Sequence, residues 1–184
     1  MSFEETKHEV IAVHEELSRL NDRYMKMWNE EIFLSWRWWL VVAVLVLPWV
    51  LWCCLRKKQS TDRLIYTGLS VYLMTSILDS IGVSFGLWSY LVTPFPYLQG
   101  YFIPWELTVF PVITMLLIEY KRHISKYVKA AFFAFGSALL AEPFFEWIGI
   151  YQTLTWEHYY GIPLYYVIYL IADFVSRRTR FEQL

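Results

Sequence analysis

The stretch Ala138-Leu-Leu-Ala-Glu142-Pro143-Phe-Phe-Glu146-Trp-Ile-Gly149-Ile-Tyr151 decides how the chain reads. It lies in a long apolar segment, yet it carries two acids with a proline between them. Carboxylates four residues apart share one face of a helix. Acids at membrane depth are expensive and usually face a protein interior or a wet cavity. Pro143 has no N–H for the Leu139 carbonyl, so a kink is expected there. Ala130, Ala134 and Ala138 continue the stripe below the acids, and small residues at that spacing let a second helix approach closely. Close packing below and a kink above would open a cavity lined by Glu142 and Glu146.

The rest of the composition fits a membrane setting. Of the 184 residues, 57% are hydrophobic and 20% aromatic, while only 18% are charged. Soluble domains average roughly 25% charged residues. The formal net charge of −1 gives no reason to expect a nucleic-acid partner. Cys53 and Cys54 are adjacent, lack zinc spacing and read as free thiols. The charged N-terminus is not a cleavable signal peptide.

The expected fold is all-α: an integral membrane bundle of five transmembrane helices with an extra N-terminal amphipathic helix. Residues 1–35 form that helix and 36–184 the transmembrane domain. The spans fall at about 36–55, 64–88, 102–120, 127–151 and 162–178, near the 20 or so residues that cross a bilayer. Trp36, Trp38, Trp88 and Trp156 are placed as interface anchors. In the first helix Val10, Val13, Leu17, Leu20, Tyr24 and Met27 form an a/d seam. It suits self-association or a partner protein through residues 10–27, or packing on the bundle or lipid surface.

Orientation follows from Lys and Arg. They crowd the connection after the first span (Arg56, Lys57, Lys58, Arg63), that after the third (Lys121, Arg122, Lys126, Lys129) and the C-terminus (Arg177, Arg178, Arg180). Residues 89–101 and 152–161 contain none. This predicts a multi-pass plasma-membrane protein with its N-terminus outside and C-terminus in the cytoplasm.

A repeat points the same way. Asp79-Ser-Ile-Gly82 precedes Trp88 and then Ile103-Pro104; Glu146-Trp-Ile-Gly149 precedes Trp156 and then Ile162-Pro163. Two hairpins in one orientation result, with Asp79 matched to Glu146. Asp79, Glu106, Glu142 and Glu146 all fall in the outer half of their spans, away from every basic cluster. They form the candidate ligand-binding set. Each is protonated, hydrogen-bonded to Tyr, Trp, Ser or Thr, or paired with a cation from outside. Glu119 and Asp173 read as surface partners of the basic clusters, and Glu157 and His158 as interfacial. No metal, cofactor or catalytic motif is present.

FLSWRWWL, PWVLWCC, LDSIGVSFGLWSY, PWELTVFPVITMLLIEY and EPFFEWIGIYQTLTWEHYYGIPLYY, in that order, resemble a family of small polytopic membrane proteins. The family occurs in spore-forming Gram-positive bacteria and is known by a locus tag. The resemblance runs from Phe33 to Val175. It rests on the joint spacing of Asp79, Gly82, Trp88, Tyr90, Pro111, Glu142, Trp147, Tyr151 and Trp156. It implies a class and no activity. The chain departs from the pattern at Glu119, where Gln is expected, and at Tyr160-Gly161. GLWSY followed by PWE is also similar to membrane-embedded carotenoid cyclases, although Leu107 follows Glu106 where those enzymes double the acid.

The function expected is binding, sensing or passage of a small cation, amine or proton at an outward-facing acidic intramembrane site. Two alternatives stand beside it. One is a membrane enzyme doing acid-catalysed chemistry on a lipid or isoprenoid. The other is a structural membrane subunit whose N-terminal helix docks a partner.

Overall fold

In the computed structural model the described residues are 2–97, 102–120 and 123–178. Lys121, Arg122 and Arg180 of the basic clusters lie outside them. The chain is mostly helical, as the apolar runs require. Helix α1 (Phe3–Met27) starts on a capping box, in which Ser2 accepts the Glu5 amide and Glu5 accepts the Ser2 amide. Helix α2 (Trp36–Leu55) is capped by Ser35, whose hydroxyl accepts the Trp38 amide. Helix α3 covers Thr61–Ser84.

A π-helical turn at Pro104–Val109 leads into α4 (Phe110–Glu119). Helix α5 (Lys126–Gly136) runs through a second π turn, Ser137–Ala141, into α6 (Glu142–Trp147). Helix α7 spans Gly161–Ser176. Where a kink is expected at Pro143, the chain passes from the π turn Ser137–Ala141 directly into α6, with Pro143 in the first turn of α6.

Three helical stretches are long and apolar enough to cross a membrane: Trp36–Leu55, Lys58–Ser84 and Lys126–Trp147. Helix α7 has 16 residues and falls short of that length, as does the broken helix from Pro104 to Glu119. Only 11% of the apolar window of α2 is buried, so most of that helix presents Val, Leu and Trp outward. An outward apolar surface of this kind is stable in lipid and not in water.

Helix α7 packs against α5 and α3, and α4 lies on α3. Ala130, Ala134 and Ala138 are fully buried, as their stripe predicts. The core between these helices is aromatic: Phe110, Phe133, Tyr165 and Tyr169 meet ring against ring.

Two short strands appear where the second and fourth expected spans give way to their connections, and no strand was expected there. Strand β1 (Trp88–Tyr90) pairs antiparallel with β2 (Tyr151–Thr153), Ser89 opposite Gln152. The helix before β1 therefore stops at Ser84, and Trp88 belongs to a strand. Each strand follows a left-handed glycine, Gly86 at φ 64° and Gly149 at φ 73°. These two glycines, and not Gly82 with Gly149, are the matching positions of the repeat. Each lies seven residues after a buried acid, which matches Asp79 with Glu142 and overturns the expected match with Glu146. Gly82 is needed for a different reason: a β-carbon there would sit 2.1 Å from the Trp88 ring.

Helix α1 buries none of its residues. Tyr24 and the following turn tie it to the bundle: Tyr24 Oη lies 3.1 Å from Thr93 Oγ1, and Trp28 Nε1 donates to the Thr93 carbonyl at 3.0 Å. Val10, Val13, Leu17, Leu20 and Met27 remain exposed, so Tyr24 is the one seam residue that packs on the bundle among the described residues.

Candidate functional site

Asp79 ends up buried near the last turn of α3, facing β1. Its Oδ1 accepts Trp88 Nε1 at 2.7 Å and Tyr90 Oη at 2.5 Å; its Oδ2 accepts the Phe102 amide at 3.3 Å. The turn at Gly86 folds β1 back over α3, which brings the indole and phenol to the carboxylate. Burial pushes the Tyr90 phenol well up, and the Asp79 carboxylate facing it adds to that. Tyr90 is therefore a neutral donor across the physiological range.

Glu106 shares this centre. The Phe102 amide also meets Glu106 Oε1 at 3.2 Å, and Ser76 Oγ donates to Oε2 at 2.5 Å. The two carboxyls are linked through the Phe102 amide, which both accept. The π turn at Pro104–Val109 aims Glu106 inward, where it is 2% exposed.

Glu142 and Glu146 are held by a different group. His158 Nδ1 lies 3.1 Å from Glu142 Oε2, and its Nε2 lies 2.7 Å from Glu146 Oε2. An imidazolium donates from both nitrogens, a neutral ring from one. Tyr165 donates a further hydrogen bond to Glu142 Oε1. Glu146 Oε1 accepts Gln152 Nε2 at 2.7 Å, Thr153 Oγ1 at 2.8 Å and the Thr153 amide at 3.1 Å.

Asp79, Glu106 and Glu142 line one cavity of about 50 Å³, together with Trp88, Tyr90, Trp105, Tyr151, Trp156 and Tyr165. That volume suits a few waters or one small cation, since a water needs about 10–15 Å³ on the same measure. Three of the four expected acids thus converge. Glu146 does not line the cavity and connects to it through His158. Trp88 and Trp156, expected as interface anchors, are walls of the cavity and meet edge to face. Trp36 is exposed, while Trp38 Nε1 donates to the Pro94 carbonyl at 3.1 Å.

His158 is the residue that sequence reasoning missed. It was read as interfacial, but it clamps two acids. A signal existed: the connections near the acids contain no Lys or Arg, so His158 is the one side chain there able to carry positive charge. Glu119 also departs from expectation. It is 3% exposed, and its Oε1 accepts the Lys57 amide at 3.0 Å. Asp173 does pair with Arg177, at 2.7 and 3.0 Å, but from a buried position.

Among the described residues no group of three His, Cys, Asp or Glu side chains is placed to hold a metal ion. No family model matches the chain, and neither a curated protein nor a solved structure does.

Proposed function

We propose that this is a plasma-membrane protein of the small polytopic family it resembles, and that it holds a proton or a small cation, such as ammonium, at an outward-facing acidic site. One observation carries the reading: three carboxyls surround a single small cavity whose walls are Trp and Tyr. Carboxyls that face one small cavity repel when all are ionised, and a shared proton or a cation relieves that repulsion. Aromatic faces add attraction for the cation. The small volume favours such a ligand over a bulky one.

Trp88 gives a direct test, because its indole donates to Asp79. Ammonium, sodium or potassium added to the purified protein should shift tryptophan emission. Protons compete for the same oxygens, so the apparent affinity should fall as pH falls. Asp79→Asn with Glu142→Gln should remove the response. No emission change with any of these ions, at any pH, would end the proposal.

A second reading has its own support. A groove of about 470 Å³ on the outer surface of α3 is lined by Leu73, Ile77, Ile81 and Leu107, with Ser76 and Glu106 among its residues. A lipid or isoprenoid chain lying there would reach a carboxyl that also faces the inner cavity. Acid-catalysed chemistry on such a chain, as in a carotenoid cyclase, then needs Glu106. Glu106→Gln should stop turnover of an added polyprenoid, with no dependence on cations.

The remaining proposals concern topology and partners. The five-span arrangement, N-terminus outside, rests on the basic clusters. In a Cys53→Ser, Cys54→Ser background, an impermeant thiol reagent should modify a cysteine placed at Glu157 and spare one placed at Gln59. The exposed seam of α1 supports docking of a second apolar helix, either another copy or a partner subunit. Leu17→Glu with Leu20→Glu should lower the mass seen by light scattering in detergent if the partner is a second copy.

A further inference from the structure

The opposite end of the bundle holds a second, larger cavity of about 260 Å³. The starts of α3 and α5 and the ends of α4 and α7 enclose it. Its charged lining is Arg63, Lys126, Lys129, Arg177, Glu119 and Asp173. Four cations face two carboxylates, so the formal balance is positive. Arg177 is engaged by Asp173, and Lys129 Nζ donates to the Leu117 and Tyr120 carbonyls at 2.6 and 2.8 Å. Arg63 and Lys126 are exposed, and neither is in an ion pair among the described residues. They form the side of the cavity available to an anion.

Glu119 supplies the second observation. Its Oε1 takes the Lys57 amide, but its buried Oε2 has no hydrogen-bond partner among the described residues. A buried carboxylate oxygen without a donor is costly. A bare phosphate would satisfy Arg63 and Lys126 and be repelled by Glu119. A phosphate that carries a hydroxyl or ammonium a few bonds away satisfies both sides. The cavity belongs to the end of the bundle that carries the basic clusters, and basic pockets between transmembrane helices on the cytoplasmic side bind lipid headgroups.

We propose that this cavity binds a phosphate ester bearing a hydrogen-bond donor, namely the headgroup of phosphatidylglycerol or phosphatidylethanolamine in the adjoining leaflet. The phosphate sits on Arg63 and Lys126, and the donor reaches Glu119 Oε2. The proposal needs the chain to lie in a membrane and is independent of what the acidic cavity holds.

The test uses the full chain, delipidated in mild detergent and then supplied with one lipid at a time. Phosphatidylglycerol or phosphatidylethanolamine should raise Tm by about 4 °C, and phosphatidylcholine, which lacks the donor, should not. Arg63→Gln with Lys126→Gln should keep the lipid-free Tm and lose the gain. Glu119→Gln keeps an acceptor for the Lys57 amide and should shrink the gain. A larger gain from phosphatidylethanolamine places an ammonium on Glu119, and a larger one from phosphatidylglycerol places a hydroxyl there. An equal gain from phosphatidylcholine, or an undiminished gain in the Arg63/Lys126 variant, overturns the proposal. The same gain from soluble glycerol 3-phosphate overturns the lipid assignment and leaves a phosphate ester from the aqueous phase.

Discussion

Asp79 and Glu142 occupy matching places and keep different company. Each is buried, and each lies seven residues before a left-handed glycine that opens a strand. Asp79 is met by an indole, a neutral phenol and a backbone amide. None of these donors changes charge near neutral pH. Glu142 is met by a phenol and by His158, which also holds Glu146. One half of the repeat is therefore held by an indole, a phenol and an amide, and the other by a histidine shared with a second acid. The same helix-to-strand turn serves both, so the difference lies in the donors and not in the backbone.

The largest expected effect tests the Asp79 half. Asp79→Ala removes the acceptor from Trp88 and Tyr90 together and leaves two donors in a mostly apolar cavity. Each unsatisfied donor costs about 1–3 kcal/mol, so a loss of about 3 kcal/mol is expected in thermal or chemical unfolding in detergent. Glu142→Ala should cost less, because His158 keeps Glu146 and remains partly open to solvent. Equal losses would mean that the two halves are held alike.

Next come the glycines, which separate the two possible registers of the repeat. Gly82→Ala drives a methyl into the Trp88 ring, and overpacking of this kind costs about 1–3 kcal/mol. It should also disturb the Trp88–Asp79 bond and shift tryptophan emission. Gly86→Ala and Gly149→Ala meet no such clash; each pays only for a left-handed backbone, roughly 1–2 kcal/mol. Emission should stay unchanged in both. If Gly82→Ala instead matched Gly149→Ala in both readouts, the register seen in the sequence would be the right one.

The half held by His158 is probed by a double-mutant cycle. His158→Ala should cost about 1–2 kcal/mol. Combined with Glu142→Gln it should be non-additive by about 1 kcal/mol, since the two share a hydrogen bond; combined with Asp79→Asn it should add. Non-additivity with Asp79 of the same size would show that the cavity couples both halves.

Much of this molecule was legible in the sequence. Apolar runs with Trp and basic flanks gave the helices at 36–55, 61–84 and 126–147 to within a few residues. The shared depth of Asp79, Glu106, Glu142 and Glu146 pointed to one site, and three of the four line the cavity. What stayed hidden depends on geometry that letters do not carry. Gly82 and Gly149 look equivalent after their acids, yet one allows a close ring and the other a positive φ. The π turns at 104–109 and 137–141 reset the helix phase, which turns Glu106 inward and separates the small-residue stripe from α6. Glu119 sits among lysines and arginines in sequence, but the end of α4 is covered, so its carboxyl is buried.

The smallest effect, and the sharpest for the Asp79 half, concerns Tyr90. Strand β1 lies beyond the end of α3, and the Tyr90 phenol is pushed up first by burial and then by the facing Asp79 carboxylate. A group whose folded pKa is raised contributes stability that is complete below its unfolded pKa, about 10 for tyrosine. As pH rises above that value the unfolded chain loses the proton and the folded chain keeps it. Stability then falls by up to about 1.4 kcal/mol per pH unit for this one group. Tyr90→Phe removes the titration together with the donor. It should cost about 1 kcal/mol at pH 8 and make the decline between pH 10 and 11 shallower than in the wild type. Comparing the two proteins isolates one phenol among fourteen tyrosines. Parallel declines would mean that the Tyr90–Asp79 bond is open in the folded protein. The contrast between the two halves would then be gone.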